Sequence, residues 1–149
     1  MSTPSNRTRR TSLFALAVAI ALGGCASQRG ADQQQLRLAR AADASYRAAD
    51  YAVARQRYAA LLRSNPAYIP AALRLGALAY REGNLAEAER QFRSVLEQDP
   101  KSAPAKYNLA IVRVAQANRL LNEYLLLAPA APNREYIGRL LATLEDIGQ

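Results

Sequence analysis

The chain has 149 residues, 20 basic against 12 acidic side chains, a net charge of +8, and no histidine. Lacking histidine, it lacks the commonest general base and metal ligand. A single cysteine, Cys25, excludes an internal disulfide.

Residues 1–12 carry Arg7, Arg9 and Arg10 and no acid, and Leu13 to Leu22, LFALAVAIAL, is uncharged and apolar throughout. A membrane-spanning helix needs about 20 such residues, so this run is too short to span. A basic start, a short apolar middle and small residues at its end predict an export signal over residues 1–24 that is later removed. Leu22-Gly23-Gly24-Cys25 then resembles a bacterial lipobox, an aliphatic residue and two small ones before a cysteine. The resemblance implies that a diacylglyceryl group is attached to the Cys25 sulfur. It also implies that a peptidase cuts before Cys25 and that the freed amine is acylated. A core thiol would sit among periodic apolar residues, whereas Cys25 is followed shortly by the polar stretch SQRGADQQQ. Acyl chains at about 0.8 kcal/mol per buried CH₂ make a firm anchor when two or three are present. Ala26 stands where an aspartate, in such proteins, tends to mark retention at the inner membrane. The resemblance therefore implies anchoring to the outer membrane, facing the periplasm.

Removing residues 1–24 takes away three arginines and no acid, which leaves a charge of +5. The remaining length suits one small domain. A basic balance can signal nucleic acid, but the arginines are spread through helical patterns, and an exported, tethered chain rarely meets nucleic acid. They read instead as solvated helix faces. Residues 25–34 are polar and aperiodic and read as a lipidated tether. Beyond them Ala, Leu, Arg and Gln dominate and β-branched residues are sparse, a helical composition.

Residues 34 apart then match. Tyr46 pairs with Tyr80, Arg47 with Arg81, Asp50 with Asn84, Ala54 with Ala88, Tyr58 with Phe92, Leu62 with Leu96 and Pro66 with Pro100. The second copy, LRLGALAYREGNLAEAERQFRSVLEQDP from Leu73 to Pro100, closely resembles a tetratricopeptide repeat. It has Leu75-Gly76 early, Gly83-Asn84 at the turn, then Ala88, Phe92 and a closing Asp99-Pro100. Each position has a physical reason. Gly76 and Ala88 are small so that two helices can approach closely. Gly83 supplies a left-handed residue at a helix end, and Asn84 caps the next helix. Tyr58 and Phe92 fill the gap between hairpins, and Pro66 and Pro100 stop the second helices.

The first copy has Ala41-Ala42 in place of Leu-Gly, and Ala49 in place of the turn glycine. The third copy has a good first helix in AKYNLAIVRVAQ and a second-helix pattern in RLLNEYLLLAP, but no glycine turn between them. Pro129 arrives five residues before the period places it. The two segments either fuse into one helix or meet at a tight kink near Ala115 to Asn118. After Pro132-Asn133, the residues Tyr136, Leu140, Leu141, Leu144 and Ile147 mark a final amphipathic helix that caps the array. The fold expected is all-α. The resemblance implies a right-handed tetratricopeptide solenoid over residues 35–147, with repeats at about 35–68, 69–102 and 103–131 and a cap helix at 133–147.

No catalytic or metal constellation emerges. Glu87 and Glu89, the nearest thing to paired carboxylates, lie two apart and point to different helix faces. No glycine loop suits a phosphate, no cofactor or small-molecule substrate is expected, and the site requirements of an enzyme are unmet. The resemblance implies instead that segments of other proteins bind the concave face made by the first helix of each repeat. Its face positions fall on Arg40, Asp43, Tyr46, Arg47, Arg74, Ala77, Tyr80, Arg81, Tyr107, Asn108 and Ile111. Arginine and tyrosine are residues that interface hot spots favour, although Tyr46 and Tyr80 equally suit a core between helices. Ala39 and Leu73 occupy positions where one subclass of the family holds a terminal carboxylate with lysine or asparagine, so that mode is not supported. Small lipid-anchored proteins of this family resemble accessory lipoproteins of pilus and secretion machines. The function expected is a non-catalytic adapter with protein partners in the cell envelope, and the alternative is an adapter for peptidoglycan synthases or hydrolases.

Overall fold

The computed structural model describes residue 30 and residues 32–147, the last three without their side chains. The export signal, the lipobox and Cys25 lie outside the described residues. Six α-helices and no strand are present among them: α1 (residues 32–47), α2 (Tyr51–Ser64), α3 (Ile69–Arg81), α4 (Leu85–Gln98), α5 (Ala103–Leu127) and α6 (Arg134–Ile147). Helix already runs at residues 32–34, where the polar sequence suggested tether. Neighbours in the chain pack on one another from α2 through α6, and α3 also touches α5. The architecture is a tetratricopeptide-type helical solenoid.

Two hairpins share one turn chemistry. At the end of α3 the Gly83 amide donates to the Tyr80 carbonyl and the Asn84 amide to the Ala79 carbonyl, both at 2.9 Å. The end of α1 repeats the pattern: the Ala49 amide donates to Tyr46 and the Asp50 amide to Ser45. Both are Schellman ends, which satisfy carbonyls a helix terminus would otherwise leave unpaired. The next helix is then capped by a side chain. Asp50 accepts from the Val53 amide at 3.3 Å and Asn84 from the Glu87 amide at 3.2 Å. The closing residue has φ +73° at Gly83 but +58° at Ala49. An L-residue held in the left-handed region is strained by about 1–2 kcal/mol, offset in part by the lower chain entropy of alanine in the unfolded state. Ala49→Gly should therefore stabilise the fold by about 0.5–1 kcal/mol, and Gly83→Ala should destabilise it. Urea unfolding midpoints check both; an unchanged or lowered midpoint for Ala49→Gly would contradict the strain.

The core follows the repeat. Tyr58 and Phe92, 34 residues apart, are almost fully buried, as are Ala54 and Ala88. A Cβ added to Gly76 would lie 2.6 Å from the Phe92 ring, so the missing side chain is what lets α3 and α4 close on that ring. Phe92 also clusters with Val112, which joins the second hairpin to α5. Tyr58 clusters with Ala39, Ala42, Leu75 and Leu78, which ties α1 and α2 to α3.

In the third copy the alternatives resolve to fusion: α5 is unbroken over 25 residues. Asn118 falls on the capping position of Asp50 and Asn84, but no turn forms before it, and its buried Oδ1 has no hydrogen-bond partner among the described residues. A break there would hold Ala117 in the left-handed region. Pro129 would also cut the returning helix short, because proline cannot sit inside it. An unbroken helix keeps its backbone bonds and ends at Leu127, just before that proline. The consequence is exposed apolar surface, with Leu126 and Leu127 both more than four-fifths exposed. Helix α6 packs on α5 through the buried Ile137 and Leu141. Tyr136, expected on the apolar face, points instead to solvent and is 63 % exposed.

Candidate functional site

The helices α1, α3 and α5 begin the three repeats, and the proposed binding positions all lie on them. Arg40, Arg47, Arg74, Arg81 and Tyr107 are exposed, whereas Asp43, Tyr46, Ala77, Tyr80, Asn108 and Ile111 are half-buried. A cleft of about 390 Å³ between α3 and α5 brings Arg74, Ala77 and Asn108 together with Pro70, Leu73 and Pro104. The other predicted positions lie outside its lining. Pro70 and Pro104 were not foreseen as lining, although they lie 34 residues apart and each sits in the first turn of its helix, where proline needs no amide donor.

The tyrosines divide. Tyr46 packs against the first core cluster and meets Tyr51 and Tyr58 edge-on, with ring centroids 5.6 and 6.5 Å apart. Tyr80 packs against the second cluster. Both therefore serve the core, at least with one edge. Of the three tyrosines on the first-helix face, Tyr107, at 67 % exposure, is the exposed one.

Asp43 is held inside the fold. Its Oδ1 accepts a hydrogen bond of 2.5 Å from the Tyr58 hydroxyl. Burial, and then this bond to a carboxylate, hold the Tyr58 phenol well above the ordinary tyrosine range, so it remains a donor. Nearby, Arg57 of α2 donates to the Ala41 carbonyl at 2.9 Å and to the Ser45 hydroxyl. Together these bonds fasten α2 to α1.

The arginines divide too. Arg74 places its guanidinium carbon 4.6 Å from the centre of the Tyr46 ring, and Arg81 lies 4.4 Å above Tyr51. Such contacts contribute about 0.5–1 kcal/mol at exposed sites, and here they bridge α3 to the preceding hairpin. The opposite flank uses its arginines in ion pairs. Glu87 takes Arg90, and Glu89 takes Arg93 at 3.2 Å and Arg113 at 2.8 Å. Glu89 also accepts from Gln116, a bond that, ahead of the two arginines, lowers its pKa. The two glutamates thus have separate partners and form no dyad. Among the described residues no group of three or more His, Cys, Asp or Glu could hold a metal ion.

Residues 45–110 match the tetratricopeptide repeat family. The matched stretch runs from the end of α1 into α5. It includes both turns, both capping residues and the whole lining of the cleft. A search among curated proteins found no match. Tetratricopeptide regions generally mediate protein–protein interaction, and the α1–α3–α5 face offers a cleft beside exposed arginines and an exposed tyrosine, while a cleft of about 410 Å³ on the α2–α4 side is lined by Arg55, Arg63 and Glu87.

Proposed function

We propose that this chain is a non-catalytic adapter, anchored by lipid on Cys25 at the periplasmic face of the outer membrane, that holds a protein partner on its α1–α3–α5 face. The observation that carries the reading is one of order along the chain. A lipobox-like Leu22-Gly23-Gly24-Cys25 stands N-terminal to residues 45–110, which match a family of interaction repeats. An anchor followed by a binding surface localises a partner without chemistry. Among the described residues no helix is long and apolar enough to cross a membrane, so attachment on this reading falls to the acyl chains. The setting we propose is the assembly of a pilus or secretion machine, which rests on the resemblance to accessory lipoproteins of such machines.

Cys25→Ser tests the anchor. Metabolic labelling with a fatty-acid analogue should tag the wild type and leave the variant untagged. The variant should also leave the membrane fraction while keeping the same helical circular dichroism. A tagged variant would overturn the assignment.

A further inference from the structure

Four arginines on the first-helix face follow a lattice. Arg40 and Arg47 are seven apart on α1, Arg74 and Arg81 are seven apart on α3, and the two pairs are related by the 34-residue period. Seven residues make nearly two helical turns, so each pair lies on one face with its members about 10.5 Å apart along the axis. None of the four makes an ion pair among the described residues. The acids close to them in the sequence have other partners: Asp43 the Tyr58 hydroxyl, Asp50 the Val53 amide, and Glu82, next to Arg81, Arg55 of α2.

The pair on α3 is also pre-organised. A guanidinium stacked on a ring uses its face for that contact and leaves its N–H edges free, and those edges match a carboxylate bidentately. Arg74 and Arg81 each place the guanidinium carbon over a ring, of Tyr46 and Tyr51 respectively, the position such a contact requires. Arg74 in addition lines the cleft with Pro70, Leu73 and Ala77, so the cleft runs alongside the same helix.

We propose that the partner of this face is an extended acidic segment of a protein, with two carboxylates three residues apart held by Arg74 and Arg81. In the polyproline II conformation residues i and i+3 project the same way and lie about 9.3 Å apart, close to the helix rise of about 10.5 Å between the backbone positions of Arg74 and Arg81. The proposal rests on the adapter reading and adds the chemistry of what is adapted. Charge selects the occupant. An apolar helix would leave four unpaired cations at its contact, and a basic segment would be repelled.

The test uses two fluorescent ten-residue peptides of Ala, Pro and Ser with two glutamates each, placed three apart in one and adjacent in the other. Binding to residues 25–149 carrying Cys25→Ser is read by anisotropy at two salt concentrations. The spaced peptide should bind several-fold tighter than the adjacent one. Arg74→Gln and Arg81→Gln should each weaken it about tenfold, the scale of a lost charge-assisted bond. Arg74→Lys and Arg81→Lys, which keep the charge but lose the planar fork, should lose nearly as much. Circular dichroism of each variant separates binding loss from unfolding. Equal binding of the two peptides, or full binding by the lysine variants, would show diffuse attraction to a cationic chain and overturn the proposal. Stronger arginine-dependent binding to vesicles rich in phosphatidylglycerol than to the spaced peptide would overturn it in favour of a lipid surface. If neither peptide binds while a co-purified protein still depends on Tyr107, the acidic segment fails and the adapter reading stands.

Discussion

Phe92→Ala should lower the unfolding free energy by about 3–5 kcal/mol, the largest loss expected from any single truncation in the second hairpin. Its ring is 1 % exposed and meets α3 at Gly76 and α5 at Val112, so the cavity would open where three helices converge. Gly76→Ala tests the same contact from the other side. Its new Cβ would lie 2.6 Å from the ring, and a fully buried ring has little room to retreat. The expected cost is about 1–3 kcal/mol from overpacking, against about 1 kcal/mol of gained helix propensity. The two changes should not add. Once the ring is gone the Gly76→Ala methyl has space, and in the Phe92→Ala background it should become neutral or stabilising. Urea unfolding of the four proteins in this cycle gives the coupling directly. Additive losses would mean that Gly76 and Phe92 do not share the contact described.

The same pair shows why so much of the fold was legible in the sequence. A solenoid repeats one local solution, so Gly76, Gly83, Asn84, Ala88 and Phe92 each announced a backbone or packing requirement at a known spacing. The first copy could be read through its substitutions because Asp50, Ala54 and Tyr58 kept the frame. Ala49 shows a turn surviving without its glycine, with φ +58° in the left-handed region. The third copy could not be settled from sequence. Whether Ala117-Asn118 breaks the helix depends on weighing a strained alanine and a lost cap against a returning helix that Pro129 would truncate. Both outcomes satisfy the local pattern, and the unbroken α5 leaves Asn118 without the role its counterparts have. The candidate site was legible in position but not in division of labour. Spacing placed Tyr46, Tyr80 and Asp43 on the first helices. It did not show that the tyrosines would lean into core clusters or that Asp43 would be engaged by Tyr58. Those facts depend on the neighbouring helix, which no single segment encodes.

That division decides which residue probes partner binding cleanly. Tyr80→Ala would remove a core contact together with any interface contact, so a loss of binding would be ambiguous. Tyr107 is 67 % exposed on α5, beside the helix turn that carries Asn108 of the cleft. Tyr107→Ala should leave stability within about 0.5 kcal/mol, as exposed substitutions generally do. It should nevertheless weaken binding of a partner identified by co-purification by about 2 kcal/mol or more if this tyrosine is an interface anchor. Arg90 on α4 makes the matched control. It is exposed, and its partner Glu87 lies on the same helix three residues away. Arg90→Ala should change binding by well under about 1 kcal/mol, because exposed pairs of this kind contribute little. Calorimetry on purified proteins, with thermal unfolding of each variant in the same buffer, separates the two effects. A Tyr107→Ala protein that binds like the wild type, beside an Arg90→Ala protein that binds weakly, would place the interface on the α2–α4 flank. Arg40, Arg47, Arg74 and Arg81 would then hold no partner, and Arg74 and Arg81 would be left with their ring contacts.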